Sequence, residues 1–454
     1  MATRDNWSSK LGFILSAAGS AIGLGAIWKF PYTAGTHGGA VFLILFMLFT
    51  FLVAAPILIA EFAIGRHSRH SAIQAFHRLM PRTLWPGIGW LGVVTCFILL
   101  SFYSVVGGWV VAYVWHGVLG HLRAGTDYAA FFAAMIANPW QAVAFQGLFM
   151  LATVAVVQGG ISRGIEKANK YMMPALFIMF ILLAVRSLTL EGAWAGVAFL
   201  FAPDWSYLTP ATLLAALGQA FFALSIGVSA MITYASYLRD DHDLLRSANS
   251  IVWMNLFISI LAGLVIFPAV FALGFAPNQG PGLIFAILPA VFAELPFGIP
   301  LFVVFMVLVL FATLTSAFSM LETIVAAVVY KHPERRSART FAIGIATFLA
   351  GIPSALSFGV LAEVKLPGGR GIFDTLDYLV TGWSMPLGAL LIAIFTTWAW
   401  RKRIVEKEVM TGSTLPTALF HGWHALVRYL APVAIVLVLL NSSGLLAWLQ
   451  ESGK

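Results

Sequence analysis

Three short stretches of this chain have the residue types and spacing to bind ions. Ala17-Ala18-Gly19-Ser20-Ala21-Ile22-Gly23-Leu24-Gly25 and Ala223-Leu224-Ser225-Ile226-Gly227-Val228-Ser229-Ala230 are poor helix by propensity, yet each sits in the middle of an apolar run. Thr315-Ser316 sets two hydroxyls side by side in a third such run. Unwound backbone frees carbonyl oxygens for a cation and offers half-helix amides to an anion. Adjacent hydroxyls would complete the set, because a hard cation such as sodium takes oxygen ligands. Plain packing is the competing reading: small residues let helices approach, and Ser and Thr bond the preceding turn of their own helix.

Other candidates are fewer. Glu61 and Glu322 are carboxylates inside apolar runs, either functional or bracing helix ends. His67, His70 and His77 lie among Arg66, Arg69 and Arg78, a mixture better suited to lipid headgroups than to a metal. The single cysteine, Cys96, reads as a small core residue. The sequence has no nucleophile and base pair, phosphate loop or paired-metal motif, which argues against an enzyme.

These residues need elements that hold them in a bilayer. The chain has 454 residues, 60% apolar and 10% charged, where a soluble domain carries about 25% charge. Runs such as Val41 to Ile64 and Leu301 to Val329 are apolar on every face, which excludes a barrel of alternating strands. At about 20 residues per helix, eleven spans are expected: 11–33, 38–65, 85–120, 139–157, 165–188, 210–238, 247–275, 296–330, 339–358, 374–400 and 421–448. Pro281 to Glu294 is too short to span and is expected to lie on the surface or re-enter.

The net charge of +8 reads first as topology rather than as affinity for nucleic acid. With a cytoplasmic N-terminus, twenty of the 26 Lys and Arg face the cytoplasm, and an odd span count puts the C-terminus outside. Arg4 and Lys10 ahead of an apolar stretch also resemble a secretory leader, but that stretch runs on past its small residues to Phe30-Pro31.

Interrupted first and sixth spans, five apart, are what an inverted five-plus-five repeat predicts. The expected organisation is an all-α polytopic membrane protein: an N-terminal gate segment 1–10, repeats 11–188 and 210–400, an outer loop 189–209, a cytoplasmic loop 401–420, and a last span with outer tail 421–454.

Longer motifs carry a resemblance. Arg4 and Trp7, then Gly19 to Gly25, then Trp28-Lys29-Phe30-Pro31-Tyr32 resemble the first-helix signature of the neurotransmitter:sodium symporters, of LeuT-type fold. Gly38-Gly39-Ala40, Pro56 with Glu61 to Arg66, Gly218 to Phe222, Thr233 to Tyr237, and Leu314-Thr315-Ser316 with Glu322 extend it over nearly the whole chain, in the form of bacterial amino-acid members.

The resemblance implies a second sodium site from the carbonyls of Gly19, Ile22 and Ala312 and the hydroxyls of Thr315 and Ser316. It implies a substrate site in which Tyr103 bonds a carboxylate, the backbone from Ala21 through Gly23 and Leu24 to Gly25 receives it, and Phe222 is a lid. Leu99, Ser225, Val228, Ser316 and Met320 line the rest, an apolar pocket for branched or aromatic side chains.

The first sodium site departs from the family pattern. Ala26 and Ala223 lack side-chain oxygens, leaving the carbonyls of Ala21 and Ala223, Asn255 and a substrate carboxylate. Gln219, Asn255 and Ser259 suit a chloride site, but Phe46 lacks a hydroxyl, so chloride coupling stays open. Lys29 with Asp377 is the implied outer gate. Arg4 and Trp7 are the inner gate, with Tyr330 where the family has an acid, and Gly164 to Pro174 resembles a helix-unwinding element.

The expected function is sodium-coupled uptake of a neutral, hydrophobic or aromatic amino acid across a bacterial inner membrane by alternating access. An uncoupled sensor or facilitator on the same fold is the alternative. The expected partners are the amino acid and the lipid bilayer, with no nucleic acid and no obligate protein partner.

Overall fold

The computed structural model describes residues 5–277, 282–330 and 333–445. Arg4 and Pro281, both singled out above, lie outside the described residues. Among the described residues the chain is helical, without strands. Among the described residues nine helices are long and apolar enough to cross a membrane, and Lys10–Ala21 with Gly25–Thr36, bent by 50°, makes a tenth. The expected sixth span is two pieces, Pro210–Ala223 and Ala230–Ala235. Most expected boundaries fall within four residues of the observed ends.

Local signals explain where helices start. Thr209 and Asn138 each cap a helix whose first residue is proline, and Asp243 accepts from the Arg246 amide to open Leu244–Ala272. Short helices Ala72–Leu79, Tyr128–Ala137, Ala193–Phe201 and Lys402–Met410 fill the loops. The apolar segment before Glu294 forms Leu283–Ile287 and Leu288–Ala293. Its Phe285 carbonyl accepts from Tyr113, and its ring stands 5.7 Å from Trp109, so the segment packs beside the outer vestibule.

Both interruptions are real. The first helix ends at Ile22 (φ −86°, ψ 71°) and restarts at Gly25. In the sixth, Ser225, Gly227 and Ser229 adopt φ of 51°, 82° and 60°. Gly227 is required twice over, since its φ is left-handed and a Cβ there would lie 2.1 Å from the Met385 carbonyl. Glu61 is fully buried and accepts from the Gly227 amide at 2.7 Å, so it braces the sixth-helix break.

The basic cytoplasmic cluster differs from expectation. Arg66 is only 1% exposed; its guanidinium bonds the Glu408 carboxylate and the carbonyls of Glu408 and His242. His67 Nδ1 lies 3.0 Å from the second Glu408 oxygen, Arg69 pairs with Asp240 at 2.6 Å, and Arg78 reaches His70 at 2.9 Å. Glu408 takes Arg66 and His67 and Asp240 takes Arg69, so this part of the cluster is an internal clamp that joins the end of the second span to Lys402–Met410 rather than a headgroup site.

Burial raises the cost of ionising Glu408, but the His67 hydrogen bond and the Arg66 charge outweigh it and hold the carboxyl below its ordinary range. A depressed carboxyl stabilises the fold above its unfolded value of about 4.3 and loses that contribution as pH falls through the folded value. Glu408→Gln should therefore destabilise by about 3 kcal/mol at pH 7, because it leaves a buried guanidinium short of a counter-charge. Thermal melts in detergent should show the gap to the unaltered protein closing below about pH 4.

Candidate functional site

The two breaks face each other, and polar side chains from other helices stitch them together. Asn255 Nδ2 donates to the carbonyls of Ala21 (3.2 Å) and Ala223 (2.9 Å), one from each break. Gln219 Nε2 donates to Gly25 O at 2.7 Å and Ser225 Oγ to Ser20 O at 3.0 Å. The Leu24 amide points at the Tyr103 hydroxyl, 3.4 Å away. Gly23 permits this closeness: a Cβ there would lie 2.2 Å from Ser316 Oγ and 2.8 Å from Tyr103 Oη.

Every residue named above for the substrate lines one small cavity of about 20 Å³, joined by Ser20, Ala230, Ser319 and Met385. Above it opens a larger cavity of about 290 Å³, walled by aromatic residues including Trp28, Tyr32, Phe102, Trp109 and Phe373. Leu24, Tyr103 and Phe222 line both, which makes the Phe222 ring part of the partition between them.

The oxygens named for the second sodium site converge. Thr315 Oγ1 lies 2.9 Å from both Gly19 O and Ala312 O, and Ser316 Oγ lies 3.2 Å from Gly19 O and 2.9 Å from Ser20 O. The hydroxyls donate to these carbonyls; by rotating about the C–O bond they can turn lone pairs toward a cation among the same oxygens. Of the five, Ile22 alone makes no such contact with Thr315 or Ser316. Asn169 was not singled out from sequence. It is fully buried, leaves Oδ1 without a hydrogen bond, and packs against Gly19 from the fifth span. A buried amide between Gly164 and Pro174 was the available signal.

The first-site residues are arranged differently. Neither Ala26 nor Ala223 supplies a side-chain oxygen, and Asn255 turns a donor to both carbonyls while its Oδ1 has no partner. Only a half-turn of that amide would aim an oxygen at them, and a cation between would make that favourable. Of the chloride candidates, Ser259 Oγ bonds its own helix at Asn255 O (3.0 Å), and Gln219 spends a donor on Gly25. Phe46 packs 5.3 Å from the Phe30 ring.

The gates also differ from expectation. Lys29 and Asp377 face the same vestibule but form no ion pair; Lys29 Nζ lies over the Phe222 ring, 4.4 Å from its centroid. A lysine has no planar fork to fix it on a carboxylate, and a ring face within reach attracts it instead. On the inner side Trp7 is buried and donates to Tyr234 O at 2.9 Å. The lock there joins Glu322, marked in the sequence only as an intramembrane carboxylate, to residues that the sequence did not single out for a gate. Arg336 bonds Glu322 and Val157 O, and Glu322, fully buried, accepts from Tyr237 at 2.8 Å. Asp5 accepts from the Ile161 amide at 2.6 Å, and Ser8 donates to Glu166 through backbone (2.7 Å) and hydroxyl (2.6 Å). These tie the N-terminal segment to the start of the fifth span, which forms a π-helix over Ile161–Glu166 rather than an unwound stretch.

A family model described as the Sodium:neurotransmitter symporter family matches residues 4–126 and 139–447. The chain belongs to that family. An uncharacterized sodium-dependent transporter of Bacillus subtilis (strain 168) is 50% identical over 97% of this chain and 98% of its own length. One from Haemophilus influenzae is 33% identical over 97% and 98%. The crystal structure of MhsT in complex with L-phenylalanine superposes with a TM-score of 0.90 at 42% identity, covering 97% of this symporter and all of that chain. The fold expected from the interrupted helices is therefore the one present, and the symporter is a multi-pass sodium-dependent transporter, not an enzyme.

Thr315→Ala with Ser316→Ala should abolish sodium-dependent uptake while leaving a monodisperse, folded protein. Removing two oxygens from a buried ion costs several kcal/mol. Uptake by the double variant that still follows a sodium gradient would assign the ion to other oxygens.

Proposed function

We propose that this symporter carries a neutral, hydrophobic or aromatic amino acid inward with sodium by alternating access. The observation that carries the reading is one cavity in which the break of the first helix and Tyr103 meet an apolar wall of Leu99, Val228 and Met320. Half-helix amides and a phenol suit a carboxylate, while the wall suits an uncharged side chain. That MhsT has been crystallised with L-phenylalanine supports the same class of substrate.

The ion enters through Gly19, Ala312, Thr315 and Ser316, with Ile22 completing the set. The Ala21, Ala223 and Asn255 group is a weaker, carboxylate-dependent site. Coupling follows if sodium and substrate each favour the occluded arrangement of the same two broken helices. The positive-inside pattern supports a cytoplasmic N-terminus and, with eleven spans, an external C-terminus; the bacterial relatives support a bacterial inner membrane.

Reconstitution in liposomes tests this. Labelled phenylalanine, leucine or tryptophan should accumulate against its gradient only when sodium is higher outside. Competition confined to glycine and alanine would overturn the apolar pocket, and equilibration without sodium dependence would favour a facilitator. Sodium dependence of binding at fixed ionic strength should show a Hill slope near one; a slope near two would restore a full first site.

A further inference from the structure

Arg428 is an ionisable residue inside the last span that transport leaves unused. It lies about eleven residues into Thr417–Ser442, some 16 Å along the helix. Among the described residues no carboxylate pairs with it. Instead its guanidinium stacks on Trp398, 4.4 Å from the ring centroid, with Tyr429 at 5.6 Å. Trp398 belongs to the last turns of the tenth span, just before the basic run Arg401-Lys402-Arg403, so the side chain reaches back toward the cytoplasmic face.

One turn earlier His424 is 6% exposed, and its Nε2 has no hydrogen-bond partner; Arg428 Nε is buried and equally unpartnered. Lys402, at the start of the helix after the tenth span, and His421, three residues before His424, add further basic groups to this end of the seam. Intramembrane cations without an acid are costly unless something anionic answers them. Further along, the helix exposes Tyr429, Val433 and Leu437, spaced four apart along one stripe, and Trp398 is 61% exposed.

The geometry points to a binding site for the phosphate of an anionic phospholipid of the cytoplasmic leaflet, in the seam between the tenth and eleventh spans. Arg428 offers paired donors that match phosphate oxygens, His424 offers a buried ring nitrogen, and Lys402 adds charge at the mouth. An acyl chain then lies along Tyr429, Val433 and Leu437. The seam lies away from the central cavity, so the site does not depend on which amino acid is carried.

Native mass spectrometry of the detergent-purified protein tests it, with dioleoyl phosphatidylglycerol and dioleoyl phosphatidylcholine as probes. The unaltered protein should retain phosphatidylglycerol about tenfold more strongly than phosphatidylcholine, and Arg428→Gln or His424→Gln should each remove most of that preference. Arg403→Gln, at an exposed position of the Lys402–Met410 helix, should retain it. If Arg428→Gln does not elute as a folded species, Trp398→Leu, which removes the stacking platform at a bilayer-facing position, should weaken retention severalfold. Equal retention of the two lipids, or unchanged preference in the variants, overturns the site. So does inorganic phosphate alone raising the melting temperature as far as phosphatidylglycerol does, which would make it a soluble-anion site. A lipid-independent dimer shielding the seam would assign it to a second copy instead.

Discussion

The structure depends on how it satisfies backbone polar groups that two helices release in the middle of a membrane. A continuous helix bonds its own amides and carbonyls; one broken at residues 22–24 and another at 224–229 cannot, and lipid offers no water in exchange. Side chains from the surrounding helices, and Gln219 from the sixth helix itself, supply the partners. Glu61 takes the Gly227 amide, Asn255 bridges Ala21 and Ala223, Gln219 holds Gly25, and Thr315 and Ser316 hold Gly19 and Ser20. Much of the buried polarity near the middle of the molecule is explained by this need. The same groups that repair the backbone are the ones that can be redirected toward an ion or a carboxylate, so stability and function draw on one set of atoms.

That sharing explains what the sequence made legible. Glycine-rich interruptions five spans apart and a hydroxyl pair are visible because each departs from the composition of an ordinary span, whereas Tyr103 and the apolar wall came only with the family resemblance. All of the substrate residues which that resemblance implies come together around one cavity. Span limits were legible for the same reason, since charge and Gly/Pro clusters bound apolar runs. The inner lock was not, because Arg336 and Asp5 sit in charged segments where any basic or acidic residue looks solvated. Only the folded chain brings Arg336 to a carboxylate inside the eighth span. The cytoplasmic histidines and arginines misled for the complementary reason: their partners Asp240 and Glu408 lie far away in sequence.

The N-terminal segment extends the same logic to the cytoplasmic side. Asp5 takes amides that open the fifth span, and Ser8 takes Glu166 one turn further in, where Lys170 also reaches that carboxylate at 2.8 Å. Trp7 meanwhile anchors to Tyr234 in the second half of the broken sixth helix. Residues 5–9 are thus bonded to two helices at once. Any outward swing of the first half-helix must break contacts to both, which makes its release a concerted step.

The position of Lys29 on the face of Phe222 has a mechanical meaning. Its ammonium rests on the ring that divides the two cavities, and the acids of the same vestibule, Asp374 and Asp377, stand as its alternative partners. A rotation of that ring withdraws the surface on which the charge rests and frees it for a carboxylate. On the substrate site proposed above, an occupant settling beneath Phe222 would report its arrival upward, the plug and its bolt behaving as one moving part, thrown from below.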